Sequence, residues 1–103
     1  MKNTAIIIPT RLAAKRYPRK PLAEINNIPM IIHVLNRAKE SKVGDVFVAT
    51  PDKEIFEIVK KYGGNSILTK NEHLSGSDRV YEAYIKELNN NYDLIINLQG
   101  DMP

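Results

Sequence analysis

Apolar runs and helical repeats alternate along this chain of 103 residues. Four short apolar runs predict strands at residues 5–8, 45–50, 65–70 and 92–99. Polar side chains do not interrupt the first run, which is typical of a strand buried on both faces of a parallel sheet.

Between these runs, apolar residues recur at helical spacing, which predicts three helices. The repeating positions are Ile31, Val34, Leu35 and Ala38, then Ile55, Ile58, Val59 and Tyr62, and finally Tyr81, Ile85 and Leu88. Strands that alternate with helices favour right-handed βαβ units. The predicted fold class is therefore α/β, with a mainly parallel, open sheet.

Local signals refine the boundaries of these elements. Asn26 and Asn27 predict the turn of a short hairpin because asparagine tolerates positive φ, and Pro29 is expected at the first turn of the next helix. Asp52 and Ser77 are residue types that cap helices, so helices should begin near both.

Composition and charge limit the class of protein. The length fits one small domain, and 43% hydrophobic with 26% charged residues is ordinary for a soluble chain. A net charge of +3 is compatible with nucleic acid, membrane surfaces or phosphorylated small molecules. The apolar start is too short for a signal peptide, no segment is long enough to span a membrane, and cysteine is absent, so we expect a cytoplasmic protein.

The loop after the first predicted strand concentrates positive charge. Ligands of open α/β sheets bind beyond the carboxyl ends of the strands, and here five cations fall within ten positions: Arg11, Lys15, Arg16, Arg19 and Lys20. Such a loop can neutralise a triphosphate, although a solvated basic loop is the plainer interpretation. Only Tyr17 interleaves with the cations, which disfavours nucleic acid, and neither GxGxxG nor a P-loop is present.

Two later loops carry weaker signals. The segment Ser-Gly-Ser-Asp-Arg at 75–79 fits a helix cap, or a site for a base, ribose or phosphate group. Asp101 follows the last apolar run and Gly100, where it is either a turn residue or a Mg²⁺ ligand beside phosphates. His33 and His73 lack partners at zinc-ligand spacing.

Four motifs, taken in order, carry a resemblance to a known family. They are Pro-x-Arg at 9–11, Pro-x-Lys-Pro-Leu at 18–22, His-x-Ser-Gly-x-Asp-Arg at 73–79 and Gln-Gly-Asp at 99–101. Their order and approximate spacing resemble the CMP-KDO synthetases, or 3-deoxy-manno-octulosonate cytidylyltransferases, over essentially the whole chain. The resemblance implies a GT-A-like, Rossmann-related nucleotidyltransferase fold. It also implies an enzyme that makes CMP-KDO and pyrophosphate from CTP and KDO, with Mg²⁺, for lipopolysaccharide biosynthesis.

The same resemblance implies roles for individual residues. Arg11 and Lys20 would hold the triphosphate and serve catalysis. Ser75, Gly76 and Ser77 would line the cytidine pocket.

Near the end of the chain, the resemblance implies that Gln99 lies at the junction of nucleotide and sugar and that Asp101 binds Mg²⁺. Two positions depart from the family pattern. Arg19 stands where the family usually has glycine, and Met102 stands where it usually has glutamate.

Length is the largest departure, because members of the family are much longer. We therefore expect residues 1–103 to be the N-terminal, nucleotide-binding half of a nucleotidyltransferase domain, truncated, split or remnant. The KDO pocket and the interface of the family's homodimer would belong to the absent half. The alternatives are another cytidylyltransferase, acting on sialic acid or a polyol phosphate, and a non-catalytic fragment that needs a separate C-terminal half.

Overall fold

The computed structural model describes residues 4–12, 20–69, 79, 82–83, 92 and 94–98. Within them, six strands are present: β1 (Thr4–Pro9), β2 (Glu24–Ile25), β3 (Ile28–Pro29), β4 (Asp45–Thr50), β5 (Asn65–Leu68) and β6 (Leu94–Asn97). The described helices are α1 (Met30–Glu40), α2 (Lys53–Lys61) and a 3-10 turn at Lys20–Leu22. None of the helices in these ranges is long and apolar enough to cross a membrane.

The principal sheet has four parallel strands in the order β5-β4-β1-β6. Ile7 of β1 lies opposite Phe47 on one side and Asn97 on the other. This arrangement confirms the predicted α/β class. Strands β5 and β6 are shorter than the apolar runs at 65–70 and 92–99 predict.

Both faces of the sheet are covered, and alternate residues of β1 divide between them. Ile6 and Ile8 pack with α1, α2 and β4 in one core cluster. Ala5 and Ile7 pack on the opposite face with Ile67 and with Ala83, which is helical. Burial on both faces explains why the first apolar run has no polar alternation.

The two described helices pack through their predicted apolar stripes. Ile31, Ile32, Val34, Leu35 and Ala38 are buried in α1. In α2 the buried residues are Ile55 and Val59, whereas Tyr62 lies one residue past the helix and is 44% exposed. The predicted helix at 81–88 and its start near Ser77 lie largely outside the described residues.

The hairpin β2-β3 confirms the turn predicted at two asparagines. Asn26 and Asn27 have φ of 55° and 67°. Pro29 closes β3 and occupies the N-cap position of α1. Nε2 of His33 donates a hydrogen bond to the Ile25 carbonyl at 2.7 Å, which ties the hairpin to α1.

Candidate functional site at the carboxyl edge

The order of the strands identifies one edge of the sheet as the candidate site. From β1 the chain moves to β4 and then β5 on one side, whereas β6 lies on the other side of β1. In open α/β sheets, ligands bind beyond the carboxyl ends of the strands where the order reverses in this way. The carboxyl ends of β1 and β6 therefore flank the candidate crevice. We call this edge, formed by residues 10–12, 50–52 and 69, the carboxyl edge.

Arg11 lies on the carboxyl edge immediately after β1. Thr10 is buried, and its N–H donates to the Ala49 carbonyl at 3.0 Å, which extends the pairing of β1 and β4 by one residue. The Arg11 side chain is exposed. A hydrogen-bonded backbone therefore presents an exposed cation to solvent at the reversal of the strand order.

Apolar neighbours anchor both described ends of the cationic loop. Leu12 and Leu22 are partly buried and pack against the main core cluster. Pro21 is buried, and the 3-10 turn at Lys20–Leu22 fixes the backbone of Lys20. The intervening residues 13–19, with Lys15, Arg16 and Arg19, lie outside the described residues. The packing thus fixes where the loop leaves the core and where it returns.

Asp52 links two loops of the carboxyl edge. Its Oδ2 accepts a hydrogen bond from the Leu12 N–H at 2.8 Å, across 40 positions of sequence. Its own N–H donates to Oγ1 of Thr50 at 3.1 Å. Asp52 is the N-cap residue of α2, as predicted, but its side chain makes no capping hydrogen bond. The carboxylate instead holds the segment next to Arg11.

Arg79 is a buried cation next to the same loops. Its side chain is 3% exposed, and Nε donates to Oγ1 of Thr69 at 3.1 Å. Burial, and then the like charge of Arg11, lower the pKa of Arg79 below its ordinary value, while Asp52 and Glu82 act in the opposite direction. Because arginine keeps its proton over the physiological range, this is a buried positive charge.

Of the predicted site residues, the structure places Arg11 and the Lys20 backbone near the start and end of one loop. The remaining predicted residues lie outside the described part of the chain: Ser75, Gly76, Ser77, Gln99 and Asp101. β6 runs parallel to β1 and Leu98 N–H donates to the Ile7 carbonyl at 3.0 Å, so the last described residue before Gln99 is paired beside β1.

The sequence interpretation missed two functional candidates. The sequence predicts Asp52 only as the start of a helix, and it gives Arg79, the last residue of the motif at 73–79, no role of its own. The signal for Asp52 was its position directly after a strand, in a loop at the ligand-binding edge. For Arg79 the local sequence gave no sign of burial, because its contact with Thr69 is formed by tertiary packing.

The fold and the cations of the carboxyl edge define an open parallel α/β protein of the class that binds ligands beyond its strand ends. Comparison with known proteins narrows this class. The sequence profile of a family described as Cytidylyltransferase matches residues 5–103. The chain belongs to this cytidylyltransferase family.

Curated relatives within the family share a more specific name. The chain is 46% identical over 104 residues to a 3-deoxy-manno-octulosonate cytidylyltransferase of Methylorubrum extorquens (strain PA1), covering 100% of this chain and 42% of that protein. It is 48% identical over 103 residues to the enzyme of the same name from Rhodospirillum centenum, covering 99% of this chain and 40% of the relative. The chain thus spans about two fifths of these relatives and corresponds to their N-terminal part.

Solved structures agree with this assignment. A CMP:2-keto-3-deoxy-manno-octonic acid synthetase complexed with CTP superposes with a TM-score of 0.86 at 42% identity, over 95% of this chain and 40% of that one. A cytidylyltransferase from Leptospira borgpetersenii gives a TM-score of 0.80 at 27% identity, over 98% of this chain and 42% of that one. The resemblance inferred from the four motifs is confirmed.

Proposed function

We propose that this chain is the nucleotide-binding part of a 3-deoxy-manno-octulosonate cytidylyltransferase, which binds CTP at the carboxyl edge. The main support is Arg11, which follows the central strand β1 where the strand order reverses. The similarity to a synthetase solved with CTP supports the same ligand. A cytoplasmic location, which the sequence leads us to expect, and the homodimer implied by the family resemblance belong to this proposal.

The proposed reaction needs no covalent intermediate. The anomeric hydroxyl of KDO attacks the α-phosphorus of CTP and loses its proton, the new oxygen–phosphorus bond forms, and the bond to the bridging oxygen breaks to release pyrophosphate. Arg11 and Lys20 would neutralise the charge that develops on the triphosphate. The anchored ends of their loop, at Leu12 and Leu22, support such positioning.

A bound Mg²⁺ would supply further positive charge at the phosphate oxygens. The donor set that fits it is the carboxylate of Asp101, a hard oxygen ligand three positions after Leu98. Asp52 is the acid on the described carboxyl edge, and its Oδ2 already accepts the Leu12 N–H. We therefore assign the metal to Asp101 and loop positioning to Asp52.

The other sequence-derived roles complete the proposal. Ser75, Gly76 and Ser77 would contact the cytidine, and Gln99 would lie between the nucleotide and the sugar. Arg79 supports the first of these roles, since it lies two positions after the Ser-Gly-Ser segment and its guanidinium is held at the carboxyl edge by Thr69.

The chain's coverage of its relatives favours a second candidate function. Because the chain spans only about two fifths of them, it is also suited to bind a nucleotide without turnover until a separate C-terminal half is supplied. The similarity to a protein named only as a cytidylyltransferase leaves a different acceptor sugar as a further alternative.

Pyrophosphate release tests the proposal. The chain is incubated with CTP, KDO and Mg²⁺, first alone and then with the separately produced C-terminal part of the Methylorubrum relative. We expect CTP binding by the chain alone and turnover only in the reconstituted mixture. Turnover with sialic acid or a polyol phosphate in place of KDO would identify the alternative acceptor. If CTP binds under neither condition, the proposed function is wrong.

Lys20→Ala tests the assignment of the triphosphate. Loss of a cation that contacts the terminal phosphates should weaken CTP binding by about tenfold or more, and CMP binding far less. Calorimetric titrations with both nucleotides measure the difference. Lys61→Ala is the matched control, because Lys61 is exposed and ends α2 away from the carboxyl edge. Equal losses for CTP and CMP would contradict a role at the terminal phosphates.

A further inference from the structure

One guanidinium nitrogen of Arg79 is buried without a hydrogen-bond partner among the described residues. Nε is bonded to Thr69, but Nη2 is buried and has no hydrogen-bond partner among the described residues. A buried donor without a partner is costly, typically about 1 to 3 kcal/mol and more when the group is charged. Such a group calls for an acceptor that is not part of the described protein.

The charges around Arg79 indicate that this acceptor is an anion. Arg11 is its strongest charged neighbour and has the same sign. Asp52 and Glu82 each act on Arg79 less than Arg11 does. The Asp52 carboxylate already accepts a hydrogen bond from the Leu12 N–H. The like charge of Arg11 therefore acts on Arg79 at the carboxyl edge, and no described acid is hydrogen-bonded to its Nη2.

The surrounding protein holds the guanidinium of Arg79 in place before any ligand binds. Its side chain is 3% exposed and fixed through Thr69, a buried residue that follows β5 and whose N–H donates to the Thr50 carbonyl at 2.8 Å. Arg11 by contrast is exposed. A buried donor and an exposed one at the same edge suit an oxyanion such as a phosphate group, which accepts hydrogen bonds from several directions.

We propose that Nη2 of Arg79 donates a hydrogen bond to a phosphate oxygen of the nucleotide bound at the carboxyl edge, in a pair with Arg11. Arg79 is then a binding residue rather than only a packing residue of its helix. This inference rests on the proposed function for the identity of the nucleotide. Free pyrophosphate offers the same phosphate oxygens to the buried guanidinium as CTP does. Anion binding by Arg79 can therefore be tested with pyrophosphate, separately from nucleotide binding.

Nuclear magnetic resonance of the unaltered chain gives the first test. With ¹⁵N-labelled arginine, the Nε–H signal of Arg79 is assigned by its loss in Arg79→Met. Pyrophosphate and CTP should both shift this signal with saturation, and cytidine, which lacks phosphate, should not. The same small change with all three ligands, or no change with pyrophosphate and CTP, would overturn the inference.

The variant itself gives the second test. Arg79→Met keeps much of the side-chain volume but removes the buried charge, so the unliganded protein should be at least as stable to urea as the wild type. Its affinity for CTP and pyrophosphate should fall by about tenfold or more. Arg37→Met, at an exposed arginine in the last turn of α1, is the control and should retain both affinities.

The outcomes separate this inference from the proposed function. If Arg79→Met is less stable but binds CTP and pyrophosphate as the wild type does, Arg79 is a packing residue and only this inference fails. If the wild type binds pyrophosphate through Arg79 but not CTP, the anion site stands and the cytidylyltransferase proposal fails. Binding of neither ligand refutes both. If Arg79→Met does not fold, the resonance titration of the wild type decides.

Discussion

At the scale of single residues, Tyr92 forms a link at the amino end of the sheet that can be followed by pH. Its hydroxyl donates to Oδ2 of Asp45 at 2.6 Å, and its ring contacts Phe47 edge to face, with centroids 5.8 Å apart. The hydrogen bond to Asp45, followed by desolvation, raises the pKa of Tyr92 to about 12 from 10.0. The folded state therefore favours the neutral phenol.

This shift predicts a loss of stability in alkali. Because the folded pKa lies above the unfolded one, the contribution of Tyr92 is complete below pH 10 and disappears as the pH rises through about 12. Tyr92→Phe should lower the free energy of unfolding by about 1 kcal/mol at pH 8. Urea denaturation at pH 8 and at higher pH measures the difference, which should shrink above pH 10. Tyr62→Phe, at an exposed tyrosine, serves as control, and a difference between Tyr92→Phe and wild type that does not change with pH would contradict the prediction.

Asp52 shows what single-residue signals can and cannot predict. Its position ahead of an amphipathic repeat correctly predicts the start of α2 at Lys53. The partner of its carboxylate is the N–H of Leu12, 40 residues earlier, and no local pattern encodes that distance. The hydrogen bond arises because parallel pairing places the segments after β1 and β4 side by side. Contacts of this kind require the assembled sheet.

At the scale of elements, the turn from α1 into β4 depends on a glycine. A Cβ added to Gly44 would lie 2.7 Å from the carbonyl carbon of Thr4 and would overlap its oxygen. Since this obstacle is backbone at the start of β1, it cannot move without disturbing the central strand. Gly44→Ala should therefore lower the free energy of unfolding by about 1 to 3 kcal/mol.

Thermal or urea denaturation checks this effect against a second glycine. Gly63 has φ of +82° but open space around its Cβ position. Gly63→Asn should cost less than Gly44→Ala, because asparagine tolerates positive φ and its Cβ would meet no atom within 4 Å. If Gly44→Ala were as stable as the wild type, β1 and the turn could not be packed as closely as the structure has them.

The strands, helices and turns could be predicted from the sequence more fully than the side-chain contacts or the order of the strands. The runs that became β1 and β4 are clearly apolar, α1 carries a clear helical repeat, and the hairpin turn carries two asparagines whose φ of 55° and 67° match the prediction. The ends of β5 and β6 were predicted too long, because polar residues at a strand end depend on which neighbour pairs with them. Periodicity describes burial, whereas strand length also depends on pairing partners.

At the scale of the whole molecule, the order of the strands determines which loops, and therefore which cations, lie together at the candidate site. The sequence predicted a parallel sheet but no order, since hydrophobic patterns do not specify which strands are neighbours. The observed order places β1 at the centre with β6 beside it, so the segments carrying Arg11 and preceding Gln99 start side by side. The local sequence patterns left the roles of the candidate site residues open, and the family resemblance implied a role for each.

The exposed edge strand β6 leads to a last prediction, on association. β6 ends the described sheet, and within the described residues no strand pairs with its outer side. Leu94 is 47% exposed there, and an apolar edge strand favours pairing with other chains. The isolated chain should therefore associate with increasing concentration. Leu94→Lys should reduce this association, because pairing with another chain would bury the charge of the lysine.

Sedimentation velocity over a range of concentrations measures this association. Val43→Lys is the matched control, because Val43 is 52% exposed but lies in the turn before β4. Equal effects of the two substitutions would place the associating surface elsewhere, since only one of them changes β6.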